Sequence, residues 1–134
     1  MPRMAYMAKT EVEKDLKSGS NNSTNEKVIV INGEKHPQSA QHGKDTAEKG
    51  SEVEGVVDRK GAPDRRRENM KGKEKEKGKY KDEFTPAVIR TNGPVSVRLI
   101  DQGDNRGAGA SIGRQLRNVP DNTRVVIKIL PPLQ

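Results

Sequence analysis

Thr123-Arg124-Val125-Val126-Ile127-Lys128-Ile129-Leu130 is the stretch that decides the fold. It is β-branched and apolar almost throughout, enters from the turn residues Pro120-Asp121-Asn122 and stops at Pro131-Pro132. That combination reads as a strand, 123–130, the strongest strand signal in the chain.

Working back from it, Ser111 can cap a short helix, 111–119, with Ile112, Leu116 and Val119 on one side. Before it lies a glycine-rich loop, 101–110. Before that, Pro86-Ala87-Val88-Ile89-Arg90 and Val95-Ser96-Val97-Arg98-Leu99-Ile100 flank Thr91-Asn92-Gly93-Pro94. The second run alternates, and Asn92-Gly93 suits a tight turn, so 86–100 reads as a hairpin. Residues 84–134 thus form a small β-rich (α+β) C-terminal module.

The 134-residue chain carries 26 Lys plus Arg against 19 Asp plus Glu, a net charge of +7, with 29% hydrophobic and 2% aromatic residues. Leu, Ile, Val and Phe together make up about 19% of it, under the roughly 20% at which disorder becomes the default. Sixteen of those 25 large apolar residues fall at or after Phe84. Only that part can begin to offset the entropy of ordering. The expectation is a largely disordered N-terminal two-thirds, 1–83. Its exceptions are a short helix, Glu11 to Lys17, behind the capping box Thr10-Glu11-Val12-Glu13, and a strand at Val28-Ile29-Val30-Ile31. That strand either docks on the C-terminal sheet or is offered to another chain. The module is marginal alone, and the edge of 123–130 is the expected surface for self-association.

Cations crowd the stretch just before the module. Arg59, Lys60, Arg65, Arg66 and Arg67 are followed by Lys71, Lys73, Lys75, Lys77, Lys79 and Lys81 at every second position. In an extended chain these six ammonium groups share one side, about 6.5–7 Å apart, near the phosphate spacing of a single strand. A basic disordered arm at 59–81 that binds RNA or single-stranded nucleic acid, blind to sequence, is the expectation. The alternative for the same residues is an inert, glutamate-buffered linker. Arg59-Lys60 and the lysines from Lys71 also fit a bipartite nuclear-import layout.

No reaction centre is expected. There is no cysteine, hence no disulfide or thiolate metal site. His36 and His42 read as solvated loop histidines, six residues apart in polar sequence that cannot hold a metal pair. No serine has a structured histidine beside it, and Asp101 and Asp104 read as turn residues. Gly107 to Leu116 (GAGASIGRQL) resembles the glycine turn of nucleotide-binding reductases, which would imply a phosphate cradle, but it departs from that pattern in spacing and too little chain follows it for a doubly wound sheet.

No apolar run is long enough to span a bilayer, and no secretory leader is evident, so a cytoplasmic or nuclear location is expected. The reading is a non-enzymatic accessory protein that binds nucleic acid and needs no cofactor. The rival is an adaptor acting by strand pairing. A third is a viral accessory protein for movement or host-defence suppression, because the basic middle and apolar β end are similar in charge arrangement to small plant-virus movement proteins.

Overall fold

A computed structural model describes residues 26–48, 53–93 and 95–130. The elements are β1 (Glu26–Asn32), α1 (Pro37–Glu48), β2 (Glu54–Val57), α2 (Ala62–Met70), β3 (Lys79–Phe84), β4 (Ile89–Arg90), β5 (Ser96–Asp101), α3 (Gln102–Gln115) and β6 (Arg124–Leu130). This overturns the expectation of disorder across the N-terminal two-thirds, since strands and helices run from Glu26 onward. The helix expected at Glu11 to Lys17 lies outside the described residues.

β6 organises the main sheet, whose order is β1-β6-β2-β4. β1 runs parallel to it, Ile29 opposite Ile127 and Ile31 opposite Ile129. β2 pairs antiparallel along its other side, Gly55 opposite Val125. Val125 through Leu130 are all buried, Lys128 among them, which is why the apolar residues of the segment are not confined to alternate positions. Val28–Ile31 therefore docks on the C-terminal strand. With neighbours on both sides, β6 has no free edge, so the expected self-association through 123–130 lacks its surface.

The hairpin expected over 86–100 does not form. β5 pairs instead with β3, Lys79 opposite Asp101 through Phe84 opposite Ser96, while β4 pairs with β2. β5 alternates, with Ser96 and Arg98 reaching the His42 and Asp45 side chains, but its partner is KYKDEF, a strand of charged residues that carries little apolar signal.

α1 was hidden for a related reason. Its buried residues are Ser39, Ala40, His42, Gly43, Thr46 and Ala47, small or polar, so no greasy stripe marks it. Ahead of it, the Asn32 side-chain Oδ1 accepts the Glu34 N–H at 2.8 Å, an Asx turn that leads the chain out of β1. Smallness serves contact. A Cβ on Gly43 would stand 2.6 Å from Ile129 Cδ1 and 2.7 Å from Phe84 Cε2. The helix lies against the sheet because that atom is missing.

α3 runs through the stretch read as a glycine loop and ends near the middle of the helix expected at 111–119. Gly103, Gly109 and Gly113 have nothing within 4 Å of where a Cβ would be, and Ala108, Ile112 and Leu116 supply the buried side. Tertiary packing overrides the glycine penalty here. The supposed phosphate cradle is helix interior.

Candidate active site

A cleft of about 1380 Å³ opens beside β3, walled by α2, the 75–78 loop, α3 and residues 116–120. β3 pairs only with β5 among the described residues, so its second edge is free. Gly109 and Gly113 line the α3 wall, where absent side chains leave room.

Alternation along β3 sorts its side chains. Tyr80, Asp82 and Phe84 share the face toward α1 and α3. Asp82 is 7% exposed and gripped at both oxygens. Its Oδ2 lies 2.7 Å from His42 Nδ1, and Asn105 Nδ2 donates to its Oδ1 at 3.1 Å. Asp82 and Asn105 both line the cleft. His42 has no exposure at all; its Nε2 is 2.8 Å from Ser96 Oγ, and its ring meets Phe84 edge-on with centroids 6.1 Å apart. Tyr80 accepts a hydrogen bond from Arg106 at 2.5 Å, whose guanidinium stacks 5.0 Å from the ring centre.

Lys79, Lys81 and Glu83 share the other face. Glu83 accepts from Asn69 Nδ2 at 2.7 Å and faces Arg66 Nε at 3.6 Å, and of these two α2 side chains the guanidinium lines the cleft. Lys79 bonds Asp101 at 2.6 Å. That contact holds Asp101 below the ordinary carboxylate range, helped by Gln38, and raises Lys79 above the usual lysine value. Among the described residues no three His, Asp or Glu side chains converge as a metal site.

The basic residues singled out in the sequence divide. Arg59, Arg66, Lys75, Lys77, Lys79 and Lys81 line the cleft. Lys60, Lys71 and Lys73 are exposed outside it, Lys71 within 3.7 Å of Glu68. Arg67 pairs with Asp64 along α2. Arg65 is a structural clamp: Nε donates to Ala87 O at 2.8 Å and a terminal nitrogen to Asp58 at 2.9 Å. That guanidinium is the main reason the Asp58 carboxyl sits below its ordinary value. Arg59 is partly spent too, on Asp121 and the Leu116 carbonyl. These residues occupy a helix, a loop and a strand start, so the extended-arm geometry is not what places them together.

The centre itself was missed. His42 is neither solvated nor in a loop, and a serine and a carboxylate do flank it. Asp82 and His42 are 40 positions apart, and nothing periodic links them. Asp101 and Asp104, read as turn residues, brace α1: Asp104 accepts the Gln38 and Ser39 N–H groups, both at 2.9 Å.

Fold and cleft define a small α/β protein with a buried carboxylate beneath a basic rim. No family model matches the chain. It is 32% identical over 105 residues to the DNA-entry nuclease of Bacillus subtilis (strain 168), spanning 78% of this chain and 71% of that relative. The chain belongs to the family of that nuclease. Its partner class is therefore nucleic acid, and the expectations of a non-enzymatic accessory protein, an adaptor or a viral accessory protein are overturned, as is the judgement that the chain is no enzyme. No helix of the described residues is long and apolar enough to cross a membrane.

Proposed function

We propose that this protein is a nuclease that hydrolyses phosphodiester bonds of DNA in the cleft beside β3. The observation that carries the reading is Asp82, a carboxylate gripped by His42 and Asn105 at the floor of a cleft rimmed by cations. Its relative's name supplies the substrate class.

In this reading Asp82 Oδ1 takes a proton from the attacking water, the general-base role that contributes typically 10²–10⁴-fold. Negative charge grows on the phosphate as the water oxygen bonds to phosphorus and the ester oxygen departs. Arg66 and Lys81 offset that charge. Glu83 and Asn69 keep Arg66 aimed at the cleft. Lys75 and Lys77 hold neighbouring phosphates, with Lys60, Lys71 and Lys73 extending the track outward. Arg65 and Arg67 stay on their internal partners and contact no DNA.

The test is incubation of the whole chain with supercoiled plasmid, with and without a divalent cation, beside an RNA of equal length. Nicking by the wild type and its loss in Asp82→Asn support the reading. An inactive wild type, or an Asp82→Asn protein that cuts equally well, contradicts it.

A further inference from the structure

We infer that His42 is a positioning residue for Asp82, with Ser96 pairing the second imidazole nitrogen; this rests on the nuclease reading of the cleft. A fully buried imidazole is costly unless both nitrogens are paired, and both are. An ionised carboxylate only accepts, so the proton facing Asp82 sits on Nδ1. In the neutral ring Nε2 is then an acceptor, and the Ser96 hydroxyl donates to it. A serine hydroxyl can also accept, so the charged ring keeps the same two partners.

The consequence falls on Asp82. With Oδ2 occupied by the ring, Oδ1 is the oxygen beside Asn105, and both residues line the cleft. His42 never meets substrate. It acts by orienting the carboxylate. Thr46 Oγ1 donates to the His42 carbonyl at 2.7 Å and holds that turn of α1.

Other charges around the ring are committed elsewhere. Arg98 of β5 pairs with Asp45 of α1, Lys79 of β3 with Asp101, and Arg106 of α3 with Tyr80. Asp104 is taken by the start of α1, Lys44 has a partner of its own, and Lys81 and Glu83 lie on the opposite face of β3. Asp82 is the charged group hydrogen-bonded to the ring.

The experiment compares His42→Asn, which keeps an N–H near the Nδ1 position, with His42→Phe, which keeps ring bulk and no donor. Cleavage of a plasmid by the full chain is followed with kcat and KM separated. His42→Phe should lower kcat roughly tenfold or more and leave KM within about twofold, and His42→Asn should recover most of that loss. Equal losses in both variants would mean packing alone and overturn the inference. If His42→Phe does not fold, Ser96→Ala against Ser96→Thr makes the same comparison, threonine restoring the hydroxyl.

Nitrogen-edited proton NMR of the wild type gives a readout free of activity. A hydrogen-bonded imidazole proton on Nδ1, lost in Asp82→Leu, supports the assignment, and a proton on Nε2 with Nδ1 bare overturns it. A wild type without nuclease activity overturns the nuclease reading and the positioning role with it, while the NMR signal would still report the bond. An active wild type with an indifferent His42→Phe overturns this inference alone.

Discussion

The side chain of Gln115 closes the outer edge of β1 at Val30. Its Nε2 donates to the Val30 carbonyl at 2.8 Å and its Oε1 accepts the Val30 N–H at 2.7 Å. One amide thus does for a single residue what a further strand would do, and it ties the end of α3 to the sheet. Replacing it with leucine keeps the bulk and removes both bonds. Gln115→Leu should therefore lose about 1–3 kcal/mol, read as a lower urea midpoint with an unchanged slope.

The start of α1 depends on α3 in the same way. Asp104 satisfies two of the N–H groups that a helix leaves unpaired at its beginning. Asp104→Ala should cost roughly 1–2 kcal/mol, and Asp104→Asn less, because the amide oxygen still accepts one N–H. Thermal melts of the three proteins check the order. Because α1 carries His42, Asp104→Ala should also lower the rate of DNA cleavage.

The glycines of α3 and α1 are not equivalent. Gly103 meets open space, so Gly103→Ala should raise stability by about 0.5–1 kcal/mol. At Gly107 a Cβ would lie 2.5 Å from His36 Cε1, and at Gly43 it would enter Phe84 and Ile129. Both of those substitutions to alanine should destabilise, Gly43→Ala more, since the atoms it strikes belong to the core. Opposite signs in denaturant melts are the expected result.

Acid should weaken the fold through Asp58 and Asp101. Both carboxyls sit below their ordinary value because Arg65 and Lys79 bond them. A depressed folded pKa gives stability that is present above the unfolded value, about pH 4, and lost as pH falls through the folded value. The wild-type urea midpoint should decline below about pH 4, and Asp58→Asn should decline less steeply from a lower plateau. Lys79 has the reverse sign: its raised value gives stability present below the unfolded lysine pKa, about 10.4, and lost as pH rises past the folded one.

What could be read from the sequence follows from what burial leaves visible. β6 and β1 are apolar because both are sheet strands against a helix layer, and their runs stand out. β5 shows its alternation, yet its partner β3 is Lys79-Tyr80-Lys81-Asp82-Glu83-Phe84, which looks like solvent-facing coil. α1 packs through Gly43, Ala40 and Ala47, and α3 carries four glycines, so neither shows a helical stripe. The basic residues were legible as a class of partner, and several line the cleft. The centre was not, because His42, Asp82, Ser96 and Asn105 meet only through the packing of α1 and α3 on the β3–β5 pair.

The most direct test of the central claim separates binding from cutting in Asp82→Asn. Filter binding and single-turnover cleavage of an end-labelled DNA duplex are measured on the same preparation, beside the wild type. If Asp82 is the group that takes the proton, the cleavage rate falls on the order of 10² or more while Kd for the duplex stays within a few-fold. A variant that cuts at the wild-type rate, or one that loses binding and cutting in equal measure, contradicts the account.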